Sequence, residues 1–141
     1  MVVKLSLALI LMAACVVIHA AGVSAALIRL RAAKELSPRF WANTWVFVRL
    51  GSWIILLHLV EIAVWGMLYA RTGTMPSLQT ALYFSAVTYT TTGYGDFVLP
   101  EPWRLVGGVE ALTGILMCGW STGFLFAVVH RLIERRDAKR A

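Results

Sequence analysis

Thr91-Thr92-Gly93-Tyr94-Gly95-Asp96 lies between two apolar stretches of unequal length, and those flanks decide the fold. Before it, Leu78 to Thr90 spans about 13 residues, too short to cross the hydrocarbon core. This stretch runs into the polar series Thr88-Tyr89-Thr90-Thr91-Thr92, which is costly against lipid. A helix that enters the membrane and stops midway must be sheathed in protein, because lipid gives its free backbone groups no partner. The stretch therefore predicts a re-entrant helix, opened at Pro76-Ser77 with Ser77 as N-cap. After it, Asp96 to Pro102 returns to the surface, broken by Pro100 and Pro102. Trp103 to Ile133 then runs about 31 residues without proline, or about 46 Å of helix, so it must tilt and project beyond the bilayer core.

The rest of the chain fits a membrane setting. Of its 141 residues 60% are hydrophobic and 14% charged, against about 25% charged in a soluble domain. The length allows about three spanning helices and no second soluble domain. The net charge of +6 is concentrated in two clusters: Arg29, Arg31, Lys34, Arg39 and Arg49, then Arg131, Arg135, Arg136, Lys139 and Arg140. It reads as membrane topology, because no soluble segment is long enough to form a nucleic-acid surface. Cys15 and Cys118 lie in different apolar segments without metal-ligand spacing, and are read as small buried residues.

Leu5 to Ile28 gives about 24 residues and about 36 Å of helix, enough to span. The rival is a cleaved signal peptide, with Lys4 as its basic end and cleavage near Ala20 or Ala25. Charge decides against it. The two basic clusters are separated by two crossings and share one side, which the positive-inside rule makes cytoplasmic. Cleavage would leave the first cluster outside. Residues 5–28 are thus expected to span with the N-terminus outside, a membrane-surface helix being the alternative. Ser37-Pro38 starts a helix, and Phe40, Trp41, Trp45 and Val48 suggest an interface-lying segment, with a bend or continuous helix at Gly51-Ser52. Leu50 to Ala70 is the second span, with Trp65 and Tyr69 assigned to the headgroup belt.

The central string T-x-G-Y-G-D, set between span and span, resembles the selectivity filter of the potassium channel superfamily. The resemblance covers about residues 46–133 and does not clearly reach the first helix. A permeating K⁺ sheds its water only where oxygens replace it at similar spacing, and four strands around an axis supply rings of four carbonyls. Successive carbonyls pointing inward need dihedrals that Gly93 and Gly95 permit. The resemblance implies K⁺ coordination by Thr91, Thr92, Gly93 and Tyr94, with Thr91 innermost through hydroxyl and carbonyl. Gly95, Asp96 and Tyr83 would support the filter, Tyr83 as the aromatic donor to Asp96. Two departures stand out. Thr92 replaces the usual Val, Ile or Leu, and its hydroxyl needs a partner behind the strand. Val87 occupies the position where some members pair a Glu with the Asp.

The resemblance also makes Gly114 and Gly119 gating-hinge candidates, close helix packing being the equal alternative. His58 and Glu61 share one helix face as possible pH-sensitive membrane residues. The structural alternative, a hydrogen bond from Glu61 to a neighbouring helix, is favoured because such outer helices do not line the pore. Glu110 belongs to the same class and is expected to bond a residue such as Ser85 or Thr88 behind the pore helix. His19 and His130 have no clustered partners and receive no role.

The expected fold is an all-α membrane protein of three transmembrane helices plus a re-entrant pore helix and selectivity-filter loop, in a tetrameric pore. Residues 1–36 would form the N-terminal helix and basic loop, 37–133 the pore domain, and 134–141 a charged cytoplasmic tail. The expected function is passive K⁺ conduction by a homotetramer in the plasma or inner membrane, with the C-terminus cytoplasmic. No enzyme activity, cofactor, nucleic acid or soluble ligand domain is expected, and the partners are lipid and like subunits. The alternatives are a K⁺/Na⁺ transporter subunit, a non-conducting modulatory subunit and a weakly selective cation channel. No helix carries Arg at every third position, so an Arg-rich voltage sensor is not expected.

Overall fold

The computed structural model describes residues 1–32 and 40–137. The Ser37-Pro38 helix start, Lys34, Arg39, Lys139 and Arg140 lie outside the described residues. Four α-helices follow in order: α1 Val2–Ala32, α2 Phe40–Arg71, α3 Leu78–Tyr89 and α4 Arg104–Asp137, with a 3₁₀ turn at Glu101–Trp103 before α4. Among the described residues three stretches are long and apolar enough to cross a membrane: Val2–Leu30, Asn43–Arg71 and Glu101–Arg131. At 12 residues, or about 18 Å, α3 is too short to do so.

The expected interfacial segment and second span are one helix. Gly51 and Ser52 sit inside α2 without a break, at a cost of about 1 kcal/mol for a mid-helix glycine. The start of α3 is fixed locally. Ser77 has extended φ/ψ (−151°, 161°) and its Oγ accepts the Thr80 N–H at 3.1 Å, a cap worth about 1 kcal/mol.

Helix directions follow from two cation–aromatic contacts. Lys4 Nζ lies 4.7 Å from the Trp103 ring, at the entry to α4, and Arg29 lies 5.3 Å from the Trp53 ring, early in α2. α1 thus runs parallel to α4 and antiparallel to α2. Between helices in lipid there is no hydrophobic drive, so close packing and hydrogen bonds must hold them. Both are present. Gly22 of α1 admits the Leu57 side chain, and its carbonyl accepts the Trp53 indole N–H at 2.9 Å. Gly66 of α2 lets Leu82 approach, where an added Cβ would sit 3.1 Å from the Leu82 Cα.

The buried core forms two layers. One surrounds the pore helix and includes Cys15, Trp65, Tyr69, Phe84, Tyr89 and Met117. The other gathers Val23, Ala26, Leu50, Ile54, Phe124 and Val128, toward the far end of α1. Trp65 and Tyr69 are fully buried, which corrects their assignment to the headgroup belt: they face α1, α3 and α4 instead of lipid headgroups. Cys118 is exposed on the chain, while Cys15 is buried.

Candidate ion-conduction site

The pore helix ends at Tyr89 and its last carbonyls are taken up at once by the next residues. Thr91 N–H donates to the Thr88 carbonyl at 2.9 Å and Gly93 N–H to the Val87 carbonyl at 3.1 Å. Thr91 has φ +59°, the left-handed conformation usual for a residue just past a helix end. For a residue with a Cβ this costs about 1–2 kcal/mol.

Gly93 and Gly95 follow with φ +55° and +78°, and among the described residues Thr91 is the only non-glycine with positive φ. The sign of φ therefore alternates from Thr91 to Gly95. A backbone of alternating hand can gather successive N–H groups on one side of a strand and carbonyls on the other. The glycine spacing was legible in the sequence; the third left-handed position, at Thr91, was not. All residues from Thr91 to Val98 are exposed on the single chain, Tyr94 at 72%.

The Thr92 hydroxyl has a partner. Thr90 Oγ1 donates to the Ala86 carbonyl at 2.7 Å, so the 3.0 Å contact between Thr92 Oγ1 and Thr90 Oγ1 is a donation from Thr92. The side chain is turned back onto the pore helix. At the other end of the string, Tyr83 OH donates to Asp96 Oδ2 at 2.7 Å, and Phe97 N–H to Asp96 Oδ1 at 3.1 Å. That bond to Asp96 raises the Tyr83 hydroxyl pKa above the ordinary tyrosine range. Leu99, nearly buried, anchors the returning chain, and its carbonyl accepts from Arg104 Nε at 3.4 Å.

Behind the pore helix lie two buried carboxylates. Glu110 accepts from Ser85 Oγ at 2.5 Å and from Tyr69 OH at 2.7 Å. Ser85 Oγ is also 2.8 Å from the Ile62 carbonyl. Glu61 accepts from Tyr89 OH and lies 3.0 Å from His19 Nδ1. His58 Nδ1 is 3.1 Å from Tyr89 OH, and Ser121 Oγ lies 3.2 Å from His58 Nε2 and 3.1 Å from His19 Nε2. The contacts close a ring, Glu61–His19–Ser121–His58–Tyr89, drawn from all four helices.

His19 is thus fully buried with partners in α2 and α4, which corrects the reading that gave it none. Its partners are 42 and 102 residues away, beyond the reach of local spacing. The signal that was available is the lone imidazole in an apolar span, since a polar group at membrane depth requires a partner. His130 is exposed and 3.3 Å from Glu134.

Gly114 packs directly on the end of the pore helix. A Cβ there would lie 2.7 Å from the Tyr89 carbonyl carbon and closer still to its oxygen, so this position requires glycine for packing alone. Gly119 has open space around it on the exposed side of α4.

No curated protein and no solved structure matches the chain. A family model described as an ion channel matches residues 45–131, from early α2 through α3 and the Thr91–Asp96 stretch into α4, and leaves α1 outside. This match covers more than half of the chain, and the chain belongs to that ion-channel family.

Proposed function

We propose that the chain is one subunit of a K⁺-selective channel, with four copies surrounding the pore. The observation that carries this reading is the alternating backbone from Thr91 to Gly95 at the end of a half-membrane helix. Four such strands facing one axis present rings of carbonyl oxygen in place of water around K⁺. Thr91 adds its hydroxyl at the inner end, and the Thr92, Gly93 and Tyr94 carbonyls form the rings above. Gly95 and the Tyr83–Asp96 bond hold the outer mouth. The carbonyl end of the α3 dipole favours a cation below the filter.

Two features support assembly. The described residues hold one pore unit, and the residues from Thr91 to Val98 are uncovered within it. At membrane depth such backbone must be covered by protein or line a water-filled path. The basic residues flanking α1 and α4 support an outside N-terminus and a cytoplasmic C-terminus in a plasma or inner membrane. Gly93, Tyr94 and Gly95 are all present, which disfavours a transporter subunit, a modulatory subunit or a weakly selective pore.

Purified protein in liposomes tests the proposal by K⁺ and Na⁺ flux. K⁺ flux should exceed Na⁺ flux by at least about tenfold, and Gly93→Ala should abolish that ratio, because φ +55° is strained for alanine. Equal fluxes in the wild type refute selectivity; an unchanged ratio in Gly93→Ala refutes the filter assignment.

A further inference from the structure

The ring around Glu61 sets two imidazoles beside one carboxylate, a donor set that ion conduction does not use. We propose that His19, Glu61 and His58 form a binding site for a divalent transition-metal ion of the Zn²⁺ class, joining the first helix to the outer helix of the pore unit.

The ligand atoms converge. One from each of the three residues lies within 4.8 Å of the others. His19 Nδ1 is 3.0 Å from Glu61 Oε1 and His58 Nδ1 is 3.6 Å from Glu61 Oε2. Tetrahedral coordination with bonds of about 2.0–2.1 Å sets ligand atoms about 3.3 Å apart, between those two distances. The ring centroids of the two histidines are 5.3 Å apart, so a modest rotation of His58 completes the set.

The outer partners orient the ligands. Both Nε2 atoms point at the single Ser121 Oγ, at 3.1 and 3.2 Å. A hydroxyl oxygen has two lone pairs and accepts two N–H donors. With a cation bound, both rings would keep their proton on Nε2, held by Ser121, and turn the Nδ1 lone pair toward Glu61 and the ion. Tyr89 OH holds the second carboxylate oxygen from the pore-helix side.

Proton counting shows a deficit in the ring when no cation is bound. With Glu61 ionised and both imidazoles neutral, Ser121, Tyr89 and the two histidines supply about four protons to about five ring contacts. One more positive centre closes the ring. Nitrogen beside oxygen suits Zn²⁺ or Co²⁺, whereas Mg²⁺ and Ca²⁺ favour all-oxygen sets. His19 and Glu61 are fully buried, and His58, 17% exposed, marks the side by which an ion enters.

The test uses tag-free, full-length protein in lipid nanodiscs, with Zn²⁺ measured by equilibrium dialysis and Co²⁺ by its visible absorption. About one ion per chain should bind, and Co²⁺ should show the intense bands of a tetrahedral site. Glu61→Gln supplies the missing proton from its amide, so the ring closes and the fold is kept, while the anionic ligand is lost. This variant and His19→Gln should each bind at least about tenfold more weakly, and Ser121→Ala about 10–100-fold more weakly through loss of ligand orientation. His130→Ala, at the exposed His130–Glu134 pair, should bind as the wild type does. Helicity and elution volume establish that each variant is folded. If Glu61→Gln does not fold, His58→Gln at the rim replaces it. No saturable Zn²⁺ binding, or binding lost in His130→Ala and kept in Glu61→Gln, overturns the proposal and leaves a proton alone to close the ring. Flux is not read in this assay, so its outcome is independent of whether the channel proposal holds.

Discussion

Glu110 and Glu61 are buried carboxylates that brace the same pore helix, but different parts of the chain satisfy them. Glu110 meets Ser85 in the middle of α3 and Tyr69 of α2, all within the residues matched by the family. Glu61 meets Tyr89 at the very end of α3 and draws in His19 from α1, outside that match. Each set is about one proton short when its carboxylate is ionised. At Glu110 the carboxylate is met by hydroxyls alone, from Ser85 and Tyr69. At Glu61 two imidazoles are available, and a cation can fill the gap. The contrast teaches that the pore helix has two attachments. One is internal to the pore unit; the other joins its filter end to an added helix.

Several substitutions would break or sharpen this contrast. The largest effect is expected at Gly114, where α4 touches the end of α3. Gly114→Ala forces a methyl group against the Tyr89 carbonyl, which is backbone and cannot rotate aside. A loss of about 3 kcal/mol or more is expected, read as failure to recover folded protein of wild-type elution volume. Wild-type recovery would show that the approach of α4 is not needed.

Next comes the Glu61 attachment. His19→Ala removes one partner each from Glu61 and Ser121 and should cost about 1–3 kcal/mol in unfolding by denaturant in mixed micelles. It should also increase protease access to α1. An equal effect on α1 from Glu110→Gln would erase the distinction between the two attachments.

A smaller change is expected on the Glu110 side. Tyr69→Phe removes one interhelical bond and should cost about 0.6 kcal/mol, up to about 1.7, by the same unfolding measurement, without altering access to α1.

The smallest effect lies outside the spans. Tyr83 donates to Asp96 and its pKa is raised by that bond. A group whose folded pKa is raised contributes its stabilisation below the unfolded value, about 10 for tyrosine, and loses it as pH climbs through the higher folded value. In an ultraviolet titration, Asp96→Asn should therefore bring one tyrosine back toward the ordinary range. No change in the titration would mean that the bond does not form in solution.

Much of the architecture was legible in the chain. The length of Leu78–Thr90, the Ser77 cap and the long proline-free run after Pro102 are local signals, and the helices found correspond to them. The Tyr83–Asp96 and Ser85–Glu110 pairs were anticipated through the family resemblance and helix spacing. What could not be read depended on helix rotation and docking. The sparse polar residues of α1 do not mark which face meets α4, so His19 stood without a partner. Trp65 and Tyr69 have the composition of a headgroup belt, yet their position beside α3 and α4 buries them. The packing constraint on Gly114 likewise arises only when the end of one helix meets the middle of another.

The central claim is that the backbone from Thr91 to Gly95 selects K⁺. The most direct measurement is the reversal potential of purified protein in a planar bilayer with K⁺ on one side and Na⁺ on the other. A K⁺-selective filter displaces the potential strongly toward the K⁺ equilibrium value, with K⁺ at least about tenfold more permeant. A potential near zero would contradict the claim, because rings of carbonyl oxygen spaced for K⁺ cannot treat the two ions alike.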